Sequence, residues 1–312
     1  MIVSASRRTD IPAYYAGWLM GRIDAGYCLV RNPFDARRSK RVSLAPQDID
    51  FLVLWTRDPR PLIPRIRELD GRGIRSYAQM TITGYPSAIE PGAPPLDEAI
   101  GALCELSTAL GSRRVLWRYD PIFLADGMGA DFHRRNFERI ASALEGRTER
   151  VTLSLLDEYA LTASRLARAG FPRPVFGSEK SSAASAANVR GPDSPPDPYP
   201  ALLADLAAIA RSRGMKVLAC AEPYDLSALG IEAGACVDSD LAASLWGAAN
   251  GGARNDVKGD AVAKDSGQRR ACRCSPSVDI GAYGTCPRGC AYCYANRGAG
   301  RLAMRGREDE SL

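Results

Sequence analysis

Histidine is almost missing from this chain: His133 is the only one in 312 residues. Metal sites that need several imidazoles are thereby excluded, and any Ser–His or Cys–His catalysis would rest on that one residue. It is expected early in a helix beside Arg134 and Arg135, where it reads as a surface or capping residue and the arginines as a solvated face. Long apolar runs are also missing. None approaches the ~20 residues of a membrane span, and the opening Met1-Ile-Val-Ser-Ala-Ser-Arg-Arg has neither the order nor the apolar core of a secretory signal. The expectation is a cytoplasmic protein without a membrane partner. No Gly-x-Gly-x-x-Gly turn follows the first apolar segment, which disfavours a dinucleotide-binding fold. The net charge of +5 is mild and dispersed. It makes nucleic acid an unlikely partner and suits a small-molecule or anionic substrate. Lysine is scarce beside arginine, so cations come mostly as planar forks suited to carboxylates and phosphates.

What is present points to an α/β protein. Hydrophobic residues make up 46% and charged residues 25%, as in ordinary folded domains. Strand-like segments at 2–6, 27–30, 49–55, 76–83, 114–119, 151–156 and 216–221 alternate with helix-like ones at 12–25, 62–69, 96–110, 131–144, 162–169 and 201–213. Such alternation predicts a parallel sheet flanked by helices. The expected fold is a complete or partial (β/α) TIM-like barrel over residues 1–246, with a flat doubly wound sheet as the alternative. Residues 177–200, rich in Ser, Ala and Pro, read as a long loop. Residues 247–271 read as a flexible connector, and 272–312 as a cysteine-rich segment that packs on the barrel.

Nine cysteines occur, and seven of them lie in the last third. Disulfides are a poor default in a cytoplasmic chain. Cys286-Pro-Arg-Gly-Cys290-Ala-Tyr-Cys293 places three thiols within eight residues, with Pro287 and Gly289 to curl the backbone around one point. Thiolates at such spacing hold iron–sulfur clusters or zinc, and three ligands leave one coordination position open. A zinc site completed by Cys272 or Cys274 is the alternative. Cys220, Cys236, Cys272 and Cys274 form a second group of four, enough for an auxiliary cluster, although Cys220 and Cys236 also read as core residues. Cys28 and Cys104 are expected to pack in the core.

The Cys-x3-Cys-x2-Cys spacing resembles that of the radical S-adenosylmethionine superfamily, and the form Cys-Pro-x-x-Cys-x-Tyr-Cys-Tyr is similar to that of spore photoproduct lyases. The likeness to lyases raises a nucleic-acid repair reading. The superfamily resemblance implies a [4Fe–4S] cluster whose fourth iron binds S-adenosylmethionine, reductive cleavage to a deoxyadenosyl radical, and an electron donor such as a flavodoxin or ferredoxin. The chain departs from that pattern in two ways. The motif there follows the first barrel strand, whereas here it lies near the C-terminus, and no Gly-Gly-Glu segment follows it. Over nearly its full length the chain resembles the domain of unknown function 1848 family. The resemblance is carried by Ile2-Val-Ser-Ala-Ser-Arg-Arg-Thr-Asp10, Arg31-Asn32-Pro33, Trp55-Thr56, Arg118-Tyr119-Asp120-Pro121 and Asp279 through Asn296. It implies a radical-SAM-like iron–sulfur protein and no particular substrate.

In a βα barrel the loops after the strands build the site. That rule selects Arg7, Arg8, Asp10, Arg31, Asn32, Arg57, Asp58, Thr83, Tyr85, Arg118, Asp120, Asp157 and Glu222. Arg7, Arg8, Arg31 and Arg118 are candidates for the carboxylate of S-adenosylmethionine or an anionic substrate. Asp120 and Glu222 are candidates for its amino group or a ribose hydroxyl. Pairing among themselves is the plainer role for each. An enzyme and a non-catalytic zinc or iron–sulfur redox sensor both fit this sequence.

Overall fold

A computed structural model describes residues 1–33, 35–158, 160–176, 195–247, 265, 268–295 and 309–312. Most of the expected 177–200 loop and 247–271 connector, with Tyr159 and Asn296, lie outside the described residues. In chain order the elements are β1 (Ile2–Ala5), α1 (Ile11–Tyr14), α2 (Ala16–Ala25), β2 (Tyr27–Asn32), β3 (Asp35–Ser43), β4 (Phe51–Thr56), α3 (Ile66–Gly71), β5 (Ser76–Thr81), α4 (Leu96–Leu110), β6 (Val115–Ile122), α5 (Ala130–Ala143), β7 (Arg150–Leu155), α6 (Ala160–Arg168), α7 (Tyr199–Ser212), β8 (Lys216–Cys220), β9 (Glu232–Gly234), α8 (Ser239–Trp246) and β10 (Val278–Asp279).

The main sheet has eight strands in the order β10-β1-β4-β5-β6-β7-β8-β9, and every pair in it is parallel. The protein is therefore α/β, with the connections a parallel sheet requires. Near-continuous apolar strands follow from burial on both faces. In β4, Leu52 and Leu54 join the larger apolar cluster with residues of α2 and α4, while Phe51, Val53 and Trp55 face a second cluster with Tyr77, Leu116, Cys220 and Cys236. The period of two along one strand thus separates two cores. Local signals set the helix ends. Asp10 caps α1 by accepting from Ala13 N at 3.2 Å, and Gly26 ends α2 in the left-handed region at φ 75°. Among the described residues no helix is long and apolar enough to cross a membrane.

Two placements differ from expectation. The 27–30 segment does not enter the main sheet. It forms an antiparallel hairpin, β2 with β3, a short-range pairing available to any strand followed closely by a second one. The hairpin engages the chain end, with Leu29 N donating to Glu310 O at 2.7 Å and Arg31 Nε to Ser311 Oγ at 3.1 Å. His133 is fully buried, not a surface or capping residue. It shares the inward stripe of α5 with Phe137, Ile140 and Ala141, at the i, i+4, i+7, i+8 spacing that a helix buries. Its two ring nitrogens each lie 2.9 Å from a partner, Tyr119 OH and Phe123 O, and burial lowers its pKa to about 4, so it stays neutral. Arg134, by contrast, is a solvated-face residue that pairs with Asp131 and Asp205. Cys28 is buried in the core, and Cys104 is partly buried against it.

The segment after residue 272 contributes β10, which pairs with β1 through Val3↔Val278 and Ser4↔Asp279. The Asp279 carboxylate accepts from Ser4 Oγ (3.2 Å), Ser6 Oγ (2.5 Å), Arg7 N (2.8 Å) and Gly281 N (3.0 Å). Gly281 packs so closely on Ser6 that a Cβ would collide with its hydroxyl. Asp279→Ala strands several of these donors. The expected loss is on the order of 2–3 kcal/mol, read as a lower urea midpoint at unchanged m-value. An unchanged midpoint would show that this carboxylate does not hold β10.

Candidate functional site

The C-terminal ends of the sheet strands surround one cavity of about 610 Å³, within the ~300–1,000 Å³ typical of ligand pockets. All seven cysteines of the last third line it: Cys220, Cys236, Cys272, Cys274, Cys286, Cys290 and Cys293. Parallel sheets bind ligands at this edge.

The cysteine loop leaves β10 and is pinned from several sides. Tyr15 OH donates to Thr285 O at 2.7 Å, and the Thr9 and Thr285 hydroxyls meet at 2.6 Å. Arg288 Nε donates to Asp10 Oδ2 at 3.0 Å, Ala291 N to Ile89 O at 2.9 Å, and Arg165 to Cys293 O at 2.8 Å. Tyr292 OH joins Glu90 and Arg57. Gly289 turns the chain at φ 72°, a conformation that glycine adopts without strain. Burial raises the Cys286 thiol and pushes Cys290 up to about 12, although Arg57 pulls the latter back. These two thiols stay protonated unless a cation takes the place of the proton.

The upstream four also converge. Cys236 Sγ lies 2.9 Å from Cys220 Sγ and accepts from Arg118 Nη1 at 2.6 Å. Cys274 Sγ accepts from the backbone N–H of Cys236 (3.3 Å) and Val237 (3.4 Å), and Cys272 Sγ from Cys274 N (3.4 Å). Hydrogen bonds from Cys236 and Cys272 hold the Cys274 thiol well below its usual range. Ala221, directly after Cys220, is left-handed at φ 58°, an uncommon conformation for a residue with a Cβ. Among the described residues no group of three or more Cys, His, Asp or Glu forms a ready-made metal site. The donor chemistry nevertheless fits thiophilic metals, because thiols supply both groups and cations surround them.

The other predicted residues divide into three sets. Arg7, Arg8, Asp10, Arg57, Arg118, Asp120 and Asp157 line the cavity. Asp10 is committed to structure: it accepts from Thr56 Oγ1 (2.7 Å), Arg57 N (3.0 Å), Ala13 N and Arg288. Arg118 is paired with Asp120 and Cys236, and Asp157 with Arg269. Burial opposes the charge on Arg118, but Cys236 and Asp120 more than restore it. Arg8 stacks on Tyr283 at 4.8 Å. Thr83, Tyr85 and Arg57 line an adjoining pocket of about 320 Å³. Arg31, Asn32 and Asp58 do neither: the hairpin carries the first two away from the cavity, and Asp58 pairs with Arg60. Sequence reading passed over Glu90, which is buried and bonds Thr83 Oγ1 (2.6 Å) and Arg57 Nη1 (2.9 Å). A lone carboxylate in a proline-rich loop carries no local signal.

Glu222 stands beside the cavity without lining it, and accepts from Ser154 Oγ (3.0 Å) and Leu155 N (2.9 Å). Burial raises its pKa to about 8. A raised carboxyl pKa means that the unfolded chain releases this proton near its ordinary value of 4.5 while the folded chain keeps it. This group's contribution is therefore fully present at low pH and is lost as pH rises toward about 8. Glu222→Gln is expected to flatten that decline. Denaturation midpoints of both proteins between pH 5 and about 9 test it, and parallel curves would refute a raised Glu222.

Comparison with curated proteins yields no match. The family model described as "Domain of unknown function (DUF1848)" matches residues 2–295. Both termini of that match enter the site, β1 at one end and the cysteine loop at the other, and the chain belongs to the DUF1848 family.

Proposed function

We propose that this protein is an iron–sulfur enzyme in which Cys286, Cys290 and Cys293 hold a [4Fe–4S] cluster and the adjoining cavity binds S-adenosylmethionine. The observation that carries this reading is the place of the motif in the sheet. The cysteine loop is last in the chain, yet it follows β10, the first strand in sheet order, next to β1. In the superfamily that the motif resembles, the three-cysteine loop also follows the first strand. On this reading the C-terminal position is a matter of chain order, and the edge position of β10 supports it.

The sheet is read here as rolled toward a barrel. Tyr77 OH and Gln79 Nε2 of β5 both donate to Cys236 O beyond β9 at 2.8 Å, although β5 and β9 stand far apart in the sheet. Ser275 N donates to Val237 O at 2.9 Å, which links the chain before β10 to the chain after β9. Both contacts favour curvature over a flat doubly wound sheet.

A cluster held by Cys286, Cys290 and Cys293 would supply, from an external electron donor, the one electron needed for reductive cleavage of S-adenosylmethionine into methionine and a deoxyadenosyl radical. The protein's own residues bind and orient. Arg8, beside the cysteine loop, takes the carboxylate of the cofactor or an anionic substrate. Asp120 is the acidic group on the lining for an amino group or ribose hydroxyl. The Glu90–Arg57–Tyr292 set fixes the loop that carries Cys290. An electron donor such as a flavodoxin or ferredoxin is the partner this chemistry requires.

Anaerobic reconstitution with iron and sulfide is expected to give cluster absorption that changes on adding S-adenosylmethionine, and deoxyadenosine under a strong reductant. Cys290→Ala should lose the cluster at this loop. Arg8→Gln should keep it and bind S-adenosylmethionine about 10–100-fold more weakly, the loss of one charge-assisted hydrogen bond. A reconstituted cluster with no response to S-adenosylmethionine and no deoxyadenosine would overturn the enzyme reading in favour of a redox module.

A further inference from the structure

We infer that Cys220, Cys236, Cys272 and Cys274 form a second, separate metal centre: an all-thiolate tetrahedral site for a single zinc ion that ties the two edges of the sheet together. The inference does not depend on what the Cys286–Cys293 loop binds.

Three separate stretches of chain supply the four sulfurs: the end of β8, the turn after β9, and the Cys272-Arg-Cys274 pair before β10. The four belong to one buried cluster and are joined in series. Cys236 Sγ meets Cys220 Sγ, the backbone N–H of Cys236 donates to Cys274 Sγ, and that of Cys274 donates to Cys272 Sγ. All four are buried. Core packing accounts for one or two buried thiols, but it does not gather four into one cluster at the wall of a polar cavity.

The donors aimed at these sulfurs are a second, independent observation. Three backbone N–H groups and the Arg118 guanidinium point at Cys236, Cys272 and Cys274. A neutral thiol is a weak acceptor, so such a set is matched to thiolates. Hydrogen bonds from outside onto ligating atoms are the usual support of a metal site.

Charge points the same way. Four thiolates around a divalent ion leave two negative charges, and two guanidiniums flank this group. Arg118 is one. Arg7, which lines the same cavity as Cys236 and Cys274, is the other. Its Nη2 is buried without a hydrogen-bond partner. Both arginines pack on Trp55, at 5.3 and 5.1 Å from its ring centre.

Size selects zinc over a second cluster. Zinc–sulfur bonds of about 2.3 Å set tetrahedral sulfurs about 3.8 Å apart. A cubane placed between the sulfurs holds them much farther apart. The Cys220–Cys236 separation of 2.9 Å is nearer the spacing around a single ion than around a cubane, and it opens by about 1 Å to admit one.

The test is metal content of the full chain carrying Cys286→Ala, Cys290→Ala and Cys293→Ala. The expected result is about one zinc per chain, in line with a closed four-ligand site. Cobalt substituted for zinc should show thiolate charge-transfer and tetrahedral d–d bands. Adding Cys272→Ser should abolish both. Arg118→Gln should keep the site and weaken zinc binding roughly 10–100-fold. Where the triple variant fails to fold, the wild-type chain is stripped of iron by oxidation and its residual zinc counted. Iron with labile sulfide in the triple variant would overturn the zinc assignment in favour of a cluster. A Cys220–Cys236 disulfide in metal-free protein, or no zinc in a folded chain, would overturn the site itself.

Discussion

The pairing of β10 with β1 is the contact on which the rest of the site depends. It joins residues 278–279 to residues 3–4 and so closes almost the whole chain into one loop. A two-residue strand adds few ladder bonds, and closing so long a loop costs entropy. The Asp279 carboxylate makes up the difference with four hydrogen bonds, two of them from backbone N–H groups. Only with this strand in place does the cysteine loop emerge at the same edge as Arg7, Arg57 and Arg118.

Buried ion pairs then set orientation. Arg57–Glu90 and Arg288–Asp10 are both nearly inaccessible to solvent. Such pairs add little net stability, because desolvation offsets most of the attraction, yet removing one partner is costly. Their use here is positional. Arg288 lies between Cys286 and Cys290, so its bond to Asp10 aligns the cysteine loop with the end of β1. Glu90 binds Tyr292, next to Cys293, and so fixes the other half of the loop. Three residues of the motif other than cysteine, Arg288, Gly289 and Tyr292, therefore have assigned mechanical roles.

The parallel strands were legible because burial on both faces leaves nearly unbroken apolar runs, as in Phe51-Leu-Val-Leu-Trp55. The cysteine loop was legible from spacing alone. Elements that owe their form to distant partners were not. Val278–Asp279 is too short to show periodicity, and its place beside β1 is set by a carboxylate whose donors Ser4, Ser6 and Arg7 lie at the other end of the chain. The β2 segment has the composition of a core strand, but Asp35–Ser43 pairs with it first, and Arg31 and Asn32 leave with the hairpin. His133 was misplaced because charged neighbours at 134 and 135 suggest a wet face, whereas the stripe through Phe137 and Ile140 turns it inward.

The two cysteine groups are linked through one short strand. Cys272 and Cys274 precede β10 by a few residues, and Cys286 follows it by a few. Any ligand that fixes the first group limits where β10 can lie, and β10 in turn fixes the start of the cysteine loop. Linkage is reciprocal: a metal that orders the upstream four lowers the ordering cost of the downstream three, and the converse holds equally. The side chains between them strengthen the coupling. Trp55 carries Arg7 and Arg118 on its ring, and Arg118 bonds Cys236, while the next residues of β4 and its loop, Thr56 and Arg57, bind Asp10 and Glu90 beneath the downstream loop. One short strand and the stretch from Trp55 to Arg57 thus tie the positions of the two cysteine groups together.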